Sequence, residues 1–366
     1  MTAALKARCD LDLGFPFHHE IAPADRLEAV AAWMRAEALG AEAYLTGPSV
    51  ARLEARIAGM FGKPAAAWFP TGTMAQGVAA RLHCEASGDT RLGLHPTSHL
   101  VLHEEDGHIH LHGLDPVMMG DWSRSLRAED LPAAAGCAFI ELPQRQNGGA
   151  LPDRDKLVAI KARAKALGLR LHMDGARIWG LPSAWPGQDL AAICDGFASV
   201  YASFYKDLGA SGGAILAGEA DFIDEARIWR ARMGGRLVSA WPMVPDALRA
   251  LDLRLPKMPA FVERARLIAA GVRACDNLEI TPDPPAVNTM HLRLDCDLGT
   301  AEAARDAAAE ATGVWLGNRF WHFPHDPVPA LELTIGERAL DADPERIIAA
   351  IRVMAGHAAR THSTSA

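Results

Sequence analysis

The run LRLHMD at 169–174 is apolar enough to form a buried strand, and it ends by delivering Asp174, with Arg177 three residues on. Strand ends are where open α/β sheets keep their reacting groups. A second apolar run, FASVYASF (197–204), is followed two residues later by Lys206 and then by the small residues of DLGASGG. The chain has only seven lysines; Lys156, Lys161 and Lys165 fall on one polar helical segment, whereas Lys206 stands between two predicted core strands. Desolvation lowers a lysine pKa and frees the amine to form a Schiff base. Taken alone, such a lysine is equally well a strand-end residue whose stem packs while its ammonium reaches water. A third feature, Thr71-Gly72-Thr73, separates the apolar run AAAWFP from the helical pattern MAQGVAARLHC. Free amides at a helix start favour an anion there, although the same turn serves as an ordinary N-cap. In combination these features suggest pyridoxal phosphate: Lys206 for the aldehyde, Asp174 for the ring nitrogen, the 71–73 turn for the phosphate, and room beside Ser203 for phosphate and ring.

Other candidates are less tied to one another. GHIHLHG sets His108, His110 and His112 at alternating positions, which on a strand puts all three on one face, as a cation-binding ladder or as hydrogen-bonded surface or interface groups. His18 and His19, beside Phe15 and Phe17, read either as site residues or as an N-terminal arm packed on a partner subunit. Trp315, Phe320 and Trp321 read as core or as a pocket wall.

The elements that must position these groups follow from patterning. SVARLEARIAGMF (49–61) aligns Val50, Leu53, Ile57, Met60 and Phe61 on one helical stripe, with Ser49 as N-cap and Gly62 as stop. Strands are predicted at 65–70, 136–143, 169–174, 197–204 and 212–218, with a helix at 152–168. This alternation implies an α/β fold with a mostly parallel sheet covered by helices on both faces. Two prolines in LRLPKMP (253–259) mark the start of a smaller C-terminal α/β domain. The predicted division is an N-terminal arm (1–20), a large cofactor-binding domain (21–252), a small domain (253–360) and a tail (361–366).

Composition narrows the partners. The net charge is -8 with acids and bases interspersed, and 49% of residues are apolar, so neither nucleic acid nor a membrane surface is indicated and a small molecule is. Six cysteines occur singly with no CxxC pair, which points to reduced thiols in a cytoplasmic protein. MTAALKARCDLDLGF has neither the apolar core nor the cleavage site of a signal peptide, and no apolar run reaches the roughly 18 residues of a membrane span.

In order along the chain, EAYLTGPSVARLE, FGKPAAAWFPTGTMAQ, TSHL, ELPQRQNGGALP, LHMDGARIWG and the Lys206 segment resemble the threonine aldolase and β-eliminating lyase group, pyridoxal phosphate enzymes of fold type I. HMDGAR is the most specific of these. The resemblance implies that Lys206 holds the cofactor, that Asp174 keeps its ring nitrogen protonated, and that the amides of Gly72 and Thr73 bind phosphate. It implies further that Arg177 contacts cofactor or substrate carboxylate, that His99 stacks on the ring, and that Tyr44 reaches the site across a dimer interface. Glu141 and Gly149 fit the group's acid and glycine near the cofactor. The implied reaction cleaves Cα–Cβ of a β-hydroxy-α-amino acid to glycine and an aldehyde, with His99 or a held water taking the hydroxyl proton. A homodimer or homotetramer is implied.

Three departures bear on the substrate. LGFPFHH stands where the group carries a polar Arg-Ser-Asp-Thr stretch. LELTIGER puts Glu332 where the group's arginine grips the substrate carboxylate, so Arg319, Arg338 or Arg236 substitutes or the substrate differs. Tyr205 and Asp207 flank Lys206 in place of serine and glycine, which rearranges the phosphate pocket around Ser203. The alternatives are β-elimination, transamination or decarboxylation on the same cofactor, a catalytically silent cofactor-binding protein, and a metal hydrolase centred on the His108–His112 ladder.

Overall fold

The structure, a computed structural model, describes residues 2–19, 22–40, 42–323 and 326–363. The chain divides into two compact units: residues 22–144 with 151–256, and residues 1–21 with 145–150 and 257–366.

In the first unit seven strands form one sheet: β1 (Ala65–Phe69), β2 (Arg91–Leu94), β3 (Asp115–Met118), β4 (Cys137–Glu141), β5 (Arg170–Asp174), β6 (Ser199–Ser203) and β7 (Ala214–Gly218). Their spatial order is β1-β7-β6-β5-β4-β2-β3. Strand β7 runs antiparallel to β1 and β6, and all other pairings are parallel. Strands β6 and β7 are buried at every residue, as central strands covered on both faces must be. This is the mostly parallel α/β sheet that the alternation of patterns implies.

Helix Pro48–Phe61 buries Val50, Leu53, Ile57 and Phe61 and stops at Gly62, whose φ of 60° is left-handed. Its N-cap is Gly47, not Ser49. Pro48 takes the first helical position, where a fixed φ and a missing N–H cost nothing, and Ser49 is carried into the first turn and buried. Helix Gly72–Ser87 is capped by Thr71, whose hydroxyl accepts from the Met74 amide at 3.2 Å, a contact worth about 1 kcal/mol.

GHIHLHG is not a strand. Glu105 and Asp106 turn the chain at positive φ, and Gly107–His110 follows as one helical turn. The helical period therefore replaces the alternation: His108 and His112, four apart, are buried and His110 is exposed. Among the described residues no three His, Cys, Asp or Glu side chains group as a metal site.

The second unit holds an antiparallel sheet of β8 (Leu278–Thr281), β9 (Thr289–Leu294), β10 (Phe320–Phe323) and β11 (Asp326–Thr334) in the order β10-β11-β9-β8. Helices Met258–Val272, Leu298–Thr312 and Pro344–Ser363 belong to it. The N-terminal segment joins this unit: Leu11–Asp12 pairs in parallel with Val314–Trp315, and the Arg338 guanidinium bonds the carbonyls of Gly14 and Pro16. His18 is buried with its ring 3.4 Å from a Glu337 carboxylate oxygen, and His19 pairs with Asp341 at 2.7 Å. His18 thus packs within its own chain, whereas His19 stays at the surface in an exposed ion pair. Trp315 is core, fully buried under the Arg305 guanidinium. No described helix is long and apolar enough to cross a membrane.

Candidate active site

Strand register assembles the first part of the site. Glu141 at the end of β4 pairs with Asp174 at the end of β5, and Asp174 pairs with Tyr201 on β6, so three polar side chains share one rung. Asp174 is buried; its Oδ2 accepts from Gln76 Nε2 at 2.6 Å and its Oδ1 from the Ala176 amide at 3.1 Å. Gly72 opens the helix beside this rung, where a Cβ would overlap the Tyr201 hydroxyl, so only glycine lets the helix start approach so closely. The amides of Gly72 and Thr73, first in the helix, find no carbonyl within it and remain available to an anion. Burial pushes the Tyr201 phenol well above its usual range, and the Tyr205 phenol up as well, so both stay protonated.

Lys206 lies half-buried in the loop after β6, its Nζ 5.9 Å from the centre of the Tyr205 ring. That loop is fastened at several points. Ala210 donates its amide to Phe204 O at 2.9 Å, Arg254 donates to Leu208 O at 2.8 Å, and the Ser211 amide bonds Asp246 at 2.7 Å. Arg177 Nη1 meets Asp207 Oδ1 at 2.7 Å, with both side chains buried. Arg177 therefore ties the loop after β5 to the residue next to Lys206. Ser203 is fully buried and donates its hydroxyl to Ala176 O at 2.7 Å, while its carbonyl accepts from the Trp179 indole at 2.9 Å. Its proton is committed to the protein, between the same two loops.

His99 begins a short helix, His99–Leu102, and its Nδ1 lies 2.8 Å from Glu104 Oε1. The Glu104 side chain is only 4% exposed, whereas that of His99 is 31% exposed. An ionised carboxylate only accepts, so Nδ1 carries the proton and Nε2 presents its lone pair. Glu104 also acts electrostatically on Tyr201 and Tyr205, which places the His99–Glu104 pair in the same cluster as Asp174. Glu104 was not singled out from the sequence; an acid five residues beyond the histidine was the available signal. Tyr44 is 52% exposed at a φ of 51°, with the Arg236 guanidinium 5.5 Å from its ring centre. Arg236 is thus engaged with Tyr44.

In the second unit Glu332 is not a bare carboxylate. Arg145 bonds it through Nε at 2.7 Å and Nη2 at 3.3 Å, and packs its guanidinium 4.5 Å from the Trp321 ring centre. The Arg319 guanidinium lies 3.6 Å from that centre. Arg145 and Arg319 both lie beside Glu332 and Trp321, and burial pushes the adjacent His291 down to about 4 and keeps it neutral. Gly149, with a φ of 85°, follows Gly148, whose Cβ would run into the Thr281 carbonyl; the pair lets segment 145–150 lie against β8. Arg145 is a further residue that sequence reasoning passed over, although QRQNGG contains it.

Fold and rung together define the structural class: the chain has the α/β architecture of fold type I pyridoxal phosphate enzymes. It shares the fold of Sphingomonas wittichii serine palmitoyltransferase, with a TM-score of 0.68 at 17% identity over 93% of this chain and 85% of that one. Within that class residues 25–296 match the beta-eliminating lyase model, and the chain belongs to that family. It is 27% identical to low-specificity L-threonine aldolase 1 of Arabidopsis thaliana over 70% of this chain and 75% of the relative. The low specificity L-threonine aldolase of Escherichia coli K12 is likewise 27% identical, over 66% and 74%. A crystallised candidate L-allo-threonine aldolase from Listeria monocytogenes superposes with a TM-score of 0.89 at 30% identity, covering 97% of this chain and 99% of that one.

Proposed function

We propose that the chain is a pyridoxal phosphate-dependent carbon–carbon lyase of the threonine aldolase type, cleaving Cα–Cβ of a β-hydroxy-α-amino acid to glycine and an aldehyde. The donor set fits the cofactor: Lys206 Nζ for its aldehyde carbon, the Asp174 carboxylate for its ring nitrogen, the Gly72 and Thr73 amides for its phosphate, and the close approach at Gly72 that a Cβ would block. When bound, the cofactor supplies an electron-withdrawing ring that takes up the electron pair of the broken bond.

The protein's part is to orient and to move a proton. Asp174 is held by donors on both oxygens, so its plane is set before a ligand arrives. Arg177 and Asp207 lock the Lys206 loop to the loop that follows Asp174. His99 takes the β-hydroxyl proton on Nε2 while Glu104 holds the proton on Nδ1 and balances the imidazolium that forms. The His99–Glu104 pair carries this reading, because retro-aldol cleavage needs a base for the hydroxyl proton and a buried carboxylate is already aimed at the ring nitrogen opposite. Arg319 is the substrate carboxylate partner in this reading. Tyr44 faces a neighbouring copy in a homodimer or homotetramer.

The test is product analysis with L-threonine, L-allo-threonine and phenylserine in the presence of pyridoxal phosphate. Equimolar glycine and aldehyde, abolished in Lys206→Ala, are expected. Ammonia and a 2-oxo acid without glycine would replace aldol cleavage by β-elimination, and no turnover with any of the three would remove the lyase reading.

A further inference from the structure

Asp174 stands at the end of a buried polar chain of which the mechanism above uses only the bond from Gln76. Gln76 Nε2 bonds Asp174 Oδ2 at 2.6 Å; Gln76 Oε1 lies 3.1 Å from His172 Nε2; His172 Nδ1 lies 2.7 Å from Ser199 Oγ; and Ser199 Oγ lies 2.6 Å from His83 Nε2. All five side chains belong to residues less than 5% exposed. Phe139 packs 4.2 Å from the His172 ring and Phe222 stacks 4.6 Å from the His83 ring, closing the flanks with apolar surface.

Local structure explains how the sequence builds it. Gln76 sits one turn after Gly72 on helix Gly72–Ser87, and His83 lies seven residues further on, the same face two turns along. His172 and Asp174 are two apart on β5 and so point to one side of the sheet, and Ser199 is the register partner of His172 on β6. One helix face meets one sheet face. The helix start that binds phosphate and the side chain that holds Asp174 are thereby parts of a single rigid element.

The direction of every hydrogen bond follows from one end. A carboxylate accepts only, so the Gln76 amide must present its NH2 to Asp174 and its oxygen to His172. That oxygen also accepts only, so His172 carries its proton on Nε2. Burial pushes His172 well below its usual range and His83 down to about 3, so each ring is neutral with a single proton. His172 Nδ1 is then an acceptor, Ser199 must donate to it, and the Ser199 lone pair accepts from His83 Nε2–H. Four donors point the same way, toward Asp174, and bonds so aligned polarise one another by about 10–30% each.

We propose that Gln76, His172, Ser199 and His83 are positioning residues that act through Asp174, fixing its plane and tempering its basicity toward the ring nitrogen it faces. The proposal rests on the cofactor reading above. Ser199 reinforces that order from the far side: its hydroxyl donates to His172 Nδ1 and so favours the Nε2–H form that the Gln76 oxygen accepts from, whereas without it Nδ1 loses its donor, and a proton there would leave two acceptors facing each other and turn the Gln76 amide around. A weaker donor makes Asp174 a stronger base, the ring proton shifts toward the carboxylate, and the ring withdraws electrons less. Among the titratable groups at the two ends, Arg170 acts on His83, Tyr201 and Tyr205 interact with Asp174, and Glu141 stands beside Asp174 on the neighbouring strand.

The experiment loads wild type, Ser199→Ala and Gln76→Met with pyridoxal phosphate, follows the visible band of the bound cofactor against pH, and records thermal midpoints without cofactor. The expected result is a band midpoint moved up by about half a pH unit or more in both variants, roughly what part of one hydrogen bond supplies. Unchanged midpoints beside lowered thermal stability would mean a structural chain only and overturn the proposal while the cofactor reading stands. A wild type that gains no visible band overturns the cofactor reading and this role with it. Ring-nitrogen NMR of wild type needs no variant to fold: neutral Nε2–H forms are expected at both His172 and His83, and an Nδ1–H form at either refutes the chain.

Discussion

Asp207→Ala removes the carboxylate from a buried guanidinium. The side chains of Arg177 and Asp207 are 7% and 0% exposed and meet at 2.7 Å, so little water is at hand to replace the lost partner. Breaking a buried pair from one side costs about 3–5 kcal/mol, far more than the ~0–1 kcal/mol of an exposed pair. For a unit of this size 1 kcal/mol moves a melting midpoint by roughly 2–4 °C, so a fall of roughly 6–12 °C follows even at the lower cost. Asp207→Asn keeps the shape and one acceptor and should fall by about half as much. The pair also joins the loop after Asp174 to the residue after Lys206, so Asp207→Ala should lose cofactor on dialysis faster than wild type. Melting curves of cofactor-free protein and visible absorbance after dialysis are the two readouts. A midpoint within 2 °C of wild type, by that scale under 1 kcal/mol, would show that the pair is not the buried contact described. A large fall with cofactor fully retained would show that it supports the sheet without constraining Lys206.

Arg319→Ala should raise KM for the amino acid by roughly 10–100-fold with kcat little changed, the loss of one charge-assisted bond made equally to substrate and transition state. An unchanged KM would exclude Arg319 as the carboxylate partner. Acid should destabilise the fold through histidines that burial keeps neutral. His83 is pushed down to about 3, and His112 and His291 to about 4, from an ordinary value of 6.5. Below pH 6.5 the unfolded chain binds protons that the folded chain refuses, so stability is full above that pH and is lost as pH falls toward 4, at about 1.4 kcal/mol per unit for each histidine. Urea midpoints at pH 7.5, 6.5 and 5.5 check this; equal midpoints at 6.5 and 5.5 would contradict it.

The groups that the proposed function assigns to the cofactor were legible because each sits at an element end that local pattern defines. Asp174 closes an apolar run, Lys206 follows another, and Thr71-Gly72-Thr73 opens a helix behind a strand, so residue type and position together suggested their chemistry. Gly62, read as a stop, ends its helix at a φ of 60°, and Gly168, the last residue of the helix predicted at 152–168, caps its helix at 65°. Local pattern failed where two local rules competed. Alternation in GHIHLHG lost to a turn set by Glu105 and Asp106, and Ser49 lost the cap to Gly47 because proline favours the first helical position.

What the sequence hid was partnership across distance. Asp207 holds Arg177 from 30 positions away and Gln76 reaches Asp174 from 98, and neither pairing follows from spacing; Glu104, five residues beyond His99, was the nearer signal that was passed over. Glu332 shows the consequence most clearly. Read against the family pattern it is a charge reversal that should repel a substrate carboxylate, yet Arg145, 187 positions earlier, supplies the opposite charge, and Arg319 lies on the Trp321 face. A charge exchanged at one position can be balanced at another, so the sign of a single residue does not give the sign of the site. With Glu332 already bonded to Arg145, loss of Arg319, rather than the presence of Glu332, is the perturbation predicted to weaken the substrate's hold.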